Sequence, residues 1–147
     1  MRVRRVGPGA ALEVLRAANL LDEPPELAAV RAYLSDERNV FLLAYEGSEA
    51  VGFLRGTGLG QLRSKRKQMF LYEIGVDERF RRRGIGKALI AWLLRDCREL
   101  GFEEVFAFTD PANVPAVRLY RSTGAVTETP ADRMFVYPLH SDIEPRL

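Results

Sequence analysis

Apolar residues recur along the chain with two different periods, and the change between them divides it into elements. "VRRV" at 3–6 reads as a short first strand. From 7 to 21, "GPGAALEVLRAANLL" opens on turn residues and becomes helical, with Leu12, Leu15 and Leu20 broadly on one side. "DEPPELAAVRAYLSDE" at 22–37 reads as a second helix; Pro24 and Pro25 stand at its start, where missing N–H groups cost little. The period then shortens. "NVFLLAYEGSEAVGFLRGTGL" at 39–59 is two β-rich runs around Glu46-Gly47-Ser48, a hairpin signal. A polar loop, "GQLRSKRKQ", leads to an apolar strand, "MFLYEIGV", at 69–76. Simple alternation places Phe70, Tyr72 and Ile74 on one face and Leu71, Glu73 and Gly75 on the other.

The helical period returns after "DERFRRRGIG" and runs to about Leu100, with a stripe of Leu89, Ile90, Leu93, Cys97 and Leu100 and a stop at Gly101. "EEVFAFTD" at 103–110 is another strand, and "NVPAVRLYRSTG" at 113–124 a short helix with Asn113 as N-cap and Gly124 beyond its end. A final strand pair is expected over 125–139, and residues 139–147 read as a loose tail. The order β-α-α-β-β-β-α-β-α-β-β predicts one α/β domain of the α+β type over residues 1–147. Its sheet should be mixed and mostly antiparallel, with about six or seven strands and about four helices.

Composition narrows the choice of chemistry. The 147 residues are 47% hydrophobic, which suits one globular domain. A net charge of +2 is too small to argue by itself for nucleic acid or an anionic membrane, so any electrostatic partner must be read from local clusters. A single cysteine, Cys97, allows no intrachain disulfide and suits a cytoplasmic location. No apolar leader and no window of about 18 uncharged apolar residues is seen, so neither a signal peptide nor a membrane span is expected. One His and one Cys, far apart in sequence, cannot form a ligand cluster, so no metal is expected.

The most unusual local pattern is "RRRGIGK" at 81–87, at the mouth of the long helix. A helix start exposes N–H groups without intrahelical partners and carries positive potential. Glycines let backbone come close to a ligand, and arginines bind phosphate oxygens. Together these features suit a diphosphate cradle. The nucleotide loop G-x-x-x-x-G-K-[ST] fails, because Arg81 stands where its first Gly belongs and Ala88 follows Lys87. The dinucleotide pattern G-x-G-x-x-G fails at Leu89.

What remains, Arg81-Arg82-Arg83-Gly84-Ile85-Gly86, resembles the coenzyme A loop of the GNAT acyltransferase superfamily, [RQ]-x-x-G-x-[GA]. A second block supports it: Asn113, Ala116, Tyr120 and Gly124 match the family's N-x-x-A-x-x-x-Y-x-x-x-G pattern, one strand later. The resemblance covers almost the whole chain. It implies a splayed central strand pair, 69–76 and 103–109, with acetyl-CoA between them. It also implies a cofactor set of Ile74, Gly75 and Val76 on the strand edge, Arg81 through Lys87 in the loop, and Asn113 and Tyr120. Glu73 matches the position of a carboxylate that takes the amine's proton, and Tyr120 that of a tyrosine that protonates the departing sulfur.

Within the superfamily, "QMFLYEIGVDERFRRRGIGKALI" and "DPANVPAVRLYRSTGA" are similar to the aminoglycoside 3-N-acetyltransferases. That likeness implies a small-molecule amine partner, with Glu73, Asp77 and Asp110 meeting the cationic substrate, and no nucleic-acid or membrane partner. Many members are dimers, so a homodimer is the assembly the resemblance allows. Two alternatives stand beside this reading. One is acetylation of another amine: a polyamine, an amino acid or a protein N-terminus. The other is a non-catalytic module that uses "RSKRK" (63–67) and "RFRRR" on phosphate backbones.

Overall fold

The computed structural model describes residues 1–127, 131 and 134–139. Its strands are β1 (Arg2–Arg5), β2 (Asn39–Glu46), β3 (Glu49–Leu59), β4 (Gln68–Val76) and β5 (Glu104–Phe106), in one sheet of order β1-β2-β3-β4-β5. The α-helices are α1 (Ala11–Arg16), α2 (Leu27–Ser35), α3 (Ile85–Glu99) and α4 (Val114–Ser122). The first four strands pair antiparallel, and β5 joins β4 in parallel through the α3 crossover. The mixed, mostly antiparallel sheet is the one expected, with five strands among the described residues instead of six or seven. The strand pair expected over 125–139 is not seen in residues 125–127, 131 and 134–139, and its remaining positions lie outside the described residues. The tail from 140 onward also lies outside them.

Each face of the sheet carries its own core. On one face α3 lays Ile85, Leu89 and Leu93 against Leu42, Leu54 and Leu71. On the other, α1 and α2 cover Phe41, Leu43 and Phe53 with Val14 and Leu34. Leu42 and Leu43, adjacent in β2, are both fully buried because each points into a different core. The helix expected over 7–21 is broken into a 3-10 turn at Pro8–Ala10, the six-residue α1 and a second 3-10 turn at Ala18–Leu20. The Ala17 N–H, shared between the Glu13 and Val14 carbonyls, marks the tightening at the end of α1.

One irregularity organises β4. Arg55 faces Glu73 across the ladder, yet the next residue, Gly56, faces Leu71. Tyr72 is therefore a bulge residue with no partner opposite. This corrects the simple alternation read along 70–75. Met69 and Leu71, then Ile74 and Val76, pack on the α3 core, while Phe70, Tyr72 and Glu73 share the opposite side. Gly56 makes the bulge possible, since a Cβ there would stand 2.6 Å from the Phe70 carbonyl oxygen. Tyr33 pins the same spot from α2: its hydroxyl lies 2.8 Å from the Gly56 carbonyl and 3.0 Å from that of Val40.

β4 and β5 pair only at Gln68↔Glu104, Met69↔Val105 and Phe70↔Phe106. Bulged strands bend, and pairing ends where the bulge begins. The strand expected over 103–110 is accordingly three residues long. Beyond Phe70 the outer edge of β4 is unpaired among the described residues, which is the splayed pair the resemblance implied.

These contacts predict a difference between two glycines of one segment. Gly56→Ala drives a methyl group into a carbonyl that cannot step aside, and should cost about 1–3 kcal/mol, as overpacking does. Gly60→Ala meets nothing within 4 Å and should leave stability unchanged or slightly raised. Urea unfolding of both variants checks this, and equal midpoints would remove the bulge argument.

Candidate active site

At the end of β4, Asp77 accepts from the Arg79 N–H (2.9 Å) and side chain (3.2 Å), capping a 3-10 turn at Glu78–Phe80. The Arg79 guanidinium beside it holds its carboxyl below the usual carboxylate range. The chain then passes through two left-handed residues, Arg82 at φ 64° and Gly84 at φ 79°, before α3 begins. Left-handed backbone within such a turn gathers N–H groups into a concave nest. Among the described residues no side chain caps Gly84, and no acid in the first turn of α3 offsets the positive potential of that helix end.

The loop residues have separate tasks. Arg81 reaches back to the Val76 carbonyl at 3.4 Å, and Arg83 lies over the Phe80 ring at 5.0 Å. Arg81, Arg82, Arg83 and Lys87 are exposed, whereas Ile85 is a core residue, 2% exposed. The two glycines also differ. Gly84 supplies the positive φ, while a Cβ on Gly86 would meet Leu119 of α4 at 3.0 Å. Gly86 thus sets the α3–α4 spacing, a packing role that the sequence pattern did not separate from ligand approach.

Ile74 and Val76 lean on the α3 core from the free edge of β4, and Gly75 leaves room for the Phe53 ring, whose Cε1 would lie 2.7 Å from a Cβ there. Across the gap, Asn113 caps α4 by accepting from the Ala116 N–H at 3.3 Å. Tyr120, on the same helix, is half-buried against the α3 core. Burial pushes its phenol above the ordinary value of 10.0, so it stays protonated through the neutral range.

On the opposite side of the sheet lies a cleft of about 620 Å³, between the α1–α2 connection and β4. Tyr72 forms part of its wall by alternation from Phe70, and Glu73 joins it because the bulge turns that residue to the same side. Arg55 donates to Glu73 and lies over the Tyr72 ring at 4.1 Å and the Tyr33 ring at 5.7 Å. Burial of Tyr33 pushes its phenol up to about 12, so it keeps its proton. The outer rim carries Asp22, Glu23 and Glu26. Glu73 and these acids outnumber the one cation in the lining, Arg55, which Glu73 already pairs.

Among the expected substrate residues, only Glu73 lines this cleft. Asp77 is held by Arg79, and Asp110 accepts from the Ala112 N–H at 2.8 Å in the turn before α4. The sequence reading missed Asp22, Glu23, Glu26, Arg55 and Tyr33. The acidic run around Pro24-Pro25 and an arginine inside the β3 apolar run were the available signals.

Known proteins bear on this arrangement in three ways. N-acetyltransferase 8B of Rattus norvegicus is 33% identical over 94 residues, which is 64% of this chain and 42% of that protein. The match therefore spans about two-fifths of such a relative's length. An aminoglycoside acetyltransferase, meta-AAC0020 from an uncultured soil metagenomic sample, superposes with a TM-score of 0.87 at 26% identity, covering 95% of this chain and 96% of that one. Its structure has been determined with trehalose and with sisomicin. The aminoglycoside N-acetyltransferase AAC(6')-Iy, solved with CoA, shares the fold with a TM-score of 0.71 at 22% identity over 95% of this chain and 99% of that one. The Acetyltransferase (GNAT) family model matches residues 11–125, from α1 through the splayed strands, the arginine–glycine turn and α4, and the chain belongs to that family.

Proposed function

We propose that the protein transfers an acetyl group from acetyl-CoA to an amine of a polycationic acceptor of the aminoglycoside class, at the 3-amino position that the sequence resemblance implies. The observation that carries the acceptor class is the acidic cleft: Asp22, Glu23, Glu26 and Glu73 around one space, with Arg55 already paired. A polycation is held there by several weak charge contacts, while a polyanion is repelled.

The chain's own groups fit the donor. The uncapped start of α3, the left-handed Arg82 and Gly84, and the exposed Arg81, Arg83 and Lys87 suit a diphosphate. The free edge of β4 at Ile74–Val76 offers N–H and C=O groups to an amide-bearing arm. Bound acetyl-CoA supplies an activated thioester. Glu73 then receives a proton from the acceptor ammonium, because only a neutral amine has the lone pair to attack the carbonyl. Arg55 fixes one carboxylate oxygen and leaves the other to meet the amine. Tyr120 donates its phenolic proton to the sulfur as the carbon–sulfur bond breaks, and the second proton that the nitrogen loses on forming the amide restores the phenol; burial keeps the phenolic proton in place beforehand. A polyamine acceptor would use the same acids, so the choice between the two rests on the size and shape of the cleft.

Turnover and the kinetics of variants test this. Turnover with a panel of aminoglycosides, polyamines and peptides, read by released thiol, should be strongest for an aminoglycoside; turnover of none of them would remove the proposal. With that acceptor, D22N/E23Q/E26Q should raise its KM about tenfold, at about 0.5 kcal/mol per exposed charge contact, and leave the acetyl-CoA KM unchanged. An unaltered acceptor KM would move the substrate out of this cleft.

Arg81→Ala with Arg83→Ala should raise the acetyl-CoA KM far more than it lowers kcat, since charge-assisted bonds contribute about 1.5–3 kcal/mol each. Wild-type affinity in this double variant would refute the cradle.

The catalytic pair separates by pH. Glu73→Gln should lower kcat/KM about 10²–10⁴-fold near neutrality, with the deficit shrinking as pH rises and solvent supplies neutral amine. Tyr120→Phe should lower kcat by an amount that an acceptor of lower amine pKa does not restore. Full activity of Glu73→Gln from acid to alkaline pH would rule it out as the base.

A further inference from the structure

The basic stretch 63–67 takes no part in the chemistry above, yet it closes a second hollow at the other end of the sheet. This pocket, of about 250 Å³, lies where β1 ends, β2 begins and α3 finishes. It shares no residue with the acidic cleft or with the 81–87 turn. The fifteen residues of α3, a span of about 22 Å at 1.5 Å per residue, separate it from the cradle.

Its rim is cationic: Arg5, Arg38, Lys65, Arg66 and Lys67, against Glu37 and Asp96. Arg5 has Asp96 at 3.8 Å and Arg38 has Asp36 at 2.8 Å. Among the described residues, Lys65, Arg66 and Lys67 make no ion pair within 4.0 Å. The floor is apolar, with Val40, Met69 and Phe102, and the Phe102 ring rests over Gly58.

The pocket is formed in advance. The Glu103 N–H donates to the Lys67 carbonyl at 2.8 Å, Arg63 pairs with Glu103 at 2.9 Å, and Arg66 Nε reaches the Gly101 carbonyl at 3.4 Å. The negative end of α3 is also muted, because the N–H groups of Leu100, Gly101 and Phe102 occupy the carbonyls of Asp96, Arg98 and Cys97.

We propose that this pocket binds a small organic phosphate monoester, its phosphate on Lys65, Arg66 and Lys67 and its apolar body on the floor. A cationic rim favours the dianion, and the apolar floor favours an organic ester over a bare anion. The volume admits a small molecule and leaves no room for a base-paired duplex. The site is independent of acetyl transfer, and its occupant does not compete with the acetyl donor.

The test is a backbone-amide NMR titration of the full chain with phenyl phosphate, with inorganic phosphate and a DNA duplex as comparisons. The expected result is saturable shifts at Gly58, Lys65–Lys67 and Gly101–Phe102, with phenyl phosphate bound more tightly than inorganic phosphate. K65Q/K67Q should weaken that binding about tenfold or more, and R81A/R83A should leave it unchanged. Absence of saturable shifts at these residues, equal affinity for the two phosphates, or shifts induced by the duplex alone would each overturn the proposal. So would binding that R81A/R83A abolishes and K65Q/K67Q does not.

Discussion

Between Arg55 and Gly56 the β3–β4 ladder slips by one residue, and Tyr72 is left without a partner. Without that slip Glu73 would continue the alternation of Leu71 and point into the α3 core, where an unpaired carboxylate is costly. With it, Leu71 and Ile74 both stay in the core and Glu73 emerges beside Tyr72 in the acidic cleft. The same bend ends the pairing with β5 and opens the edge of β4. One inserted residue thus opens the edge of β4 and turns a carboxylate into the acidic wall of the cleft. Gly56 and the Tyr33 hydroxyl hold the slip in place, the first by leaving room for the Phe70 carbonyl and the second by tying α2 to it.

Charge is separated around this scaffold rather than summed. A net charge of +2 says little, but the field differs sharply from place to place. Exposed cations crowd the start of α3, acids ring the cleft beneath α2, and a second set of cations surrounds the far end of α3. At physiological salt, interactions beyond about 8–10 Å are screened. Patches this far apart along the fold can therefore present opposite signs to different ligands.

The sequence disclosed whatever repeats with a regular period or sits at a fixed spacing. α3, the β2–β3 hairpin, the Asn113 cap and the arginine–glycine turn were legible for that reason. The bulge was not read, although it left a trace: the apolar positions 69, 71, 74 and 76 change phase across Tyr72-Glu73. The role of Gly86 was hidden because its neighbour, Leu119, is distant in sequence. The acidic rim was hidden in a different way. Asp22, Glu23 and Glu26 look like an ordinary solvated helix start, and only the placement of the α1–α2 connection over β4 brings them to Glu73.

Arg55 joins these features. A guanidinium between two aromatic rings, donating to a carboxylate, is a geometry that lysine does not reproduce, since it depends on a planar group that stacks and bonds at once. The pair is only partly exposed, 30% for Arg55 and 29% for Glu73, so removing one partner leaves the other poorly solvated. Arg55 thereby gives the Glu73 side chain a hydrogen-bonding partner within an aromatic-walled cleft. It also leaves Glu73 with less negative charge to offer than a bare acid would. A monocation gains little from such a carboxylate. A polycation meets Glu73 and the rim acids together, and the several weak contacts sum. On the proposed function, the pairing of Arg55 with Glu73 favours acceptors with several charges over those with one.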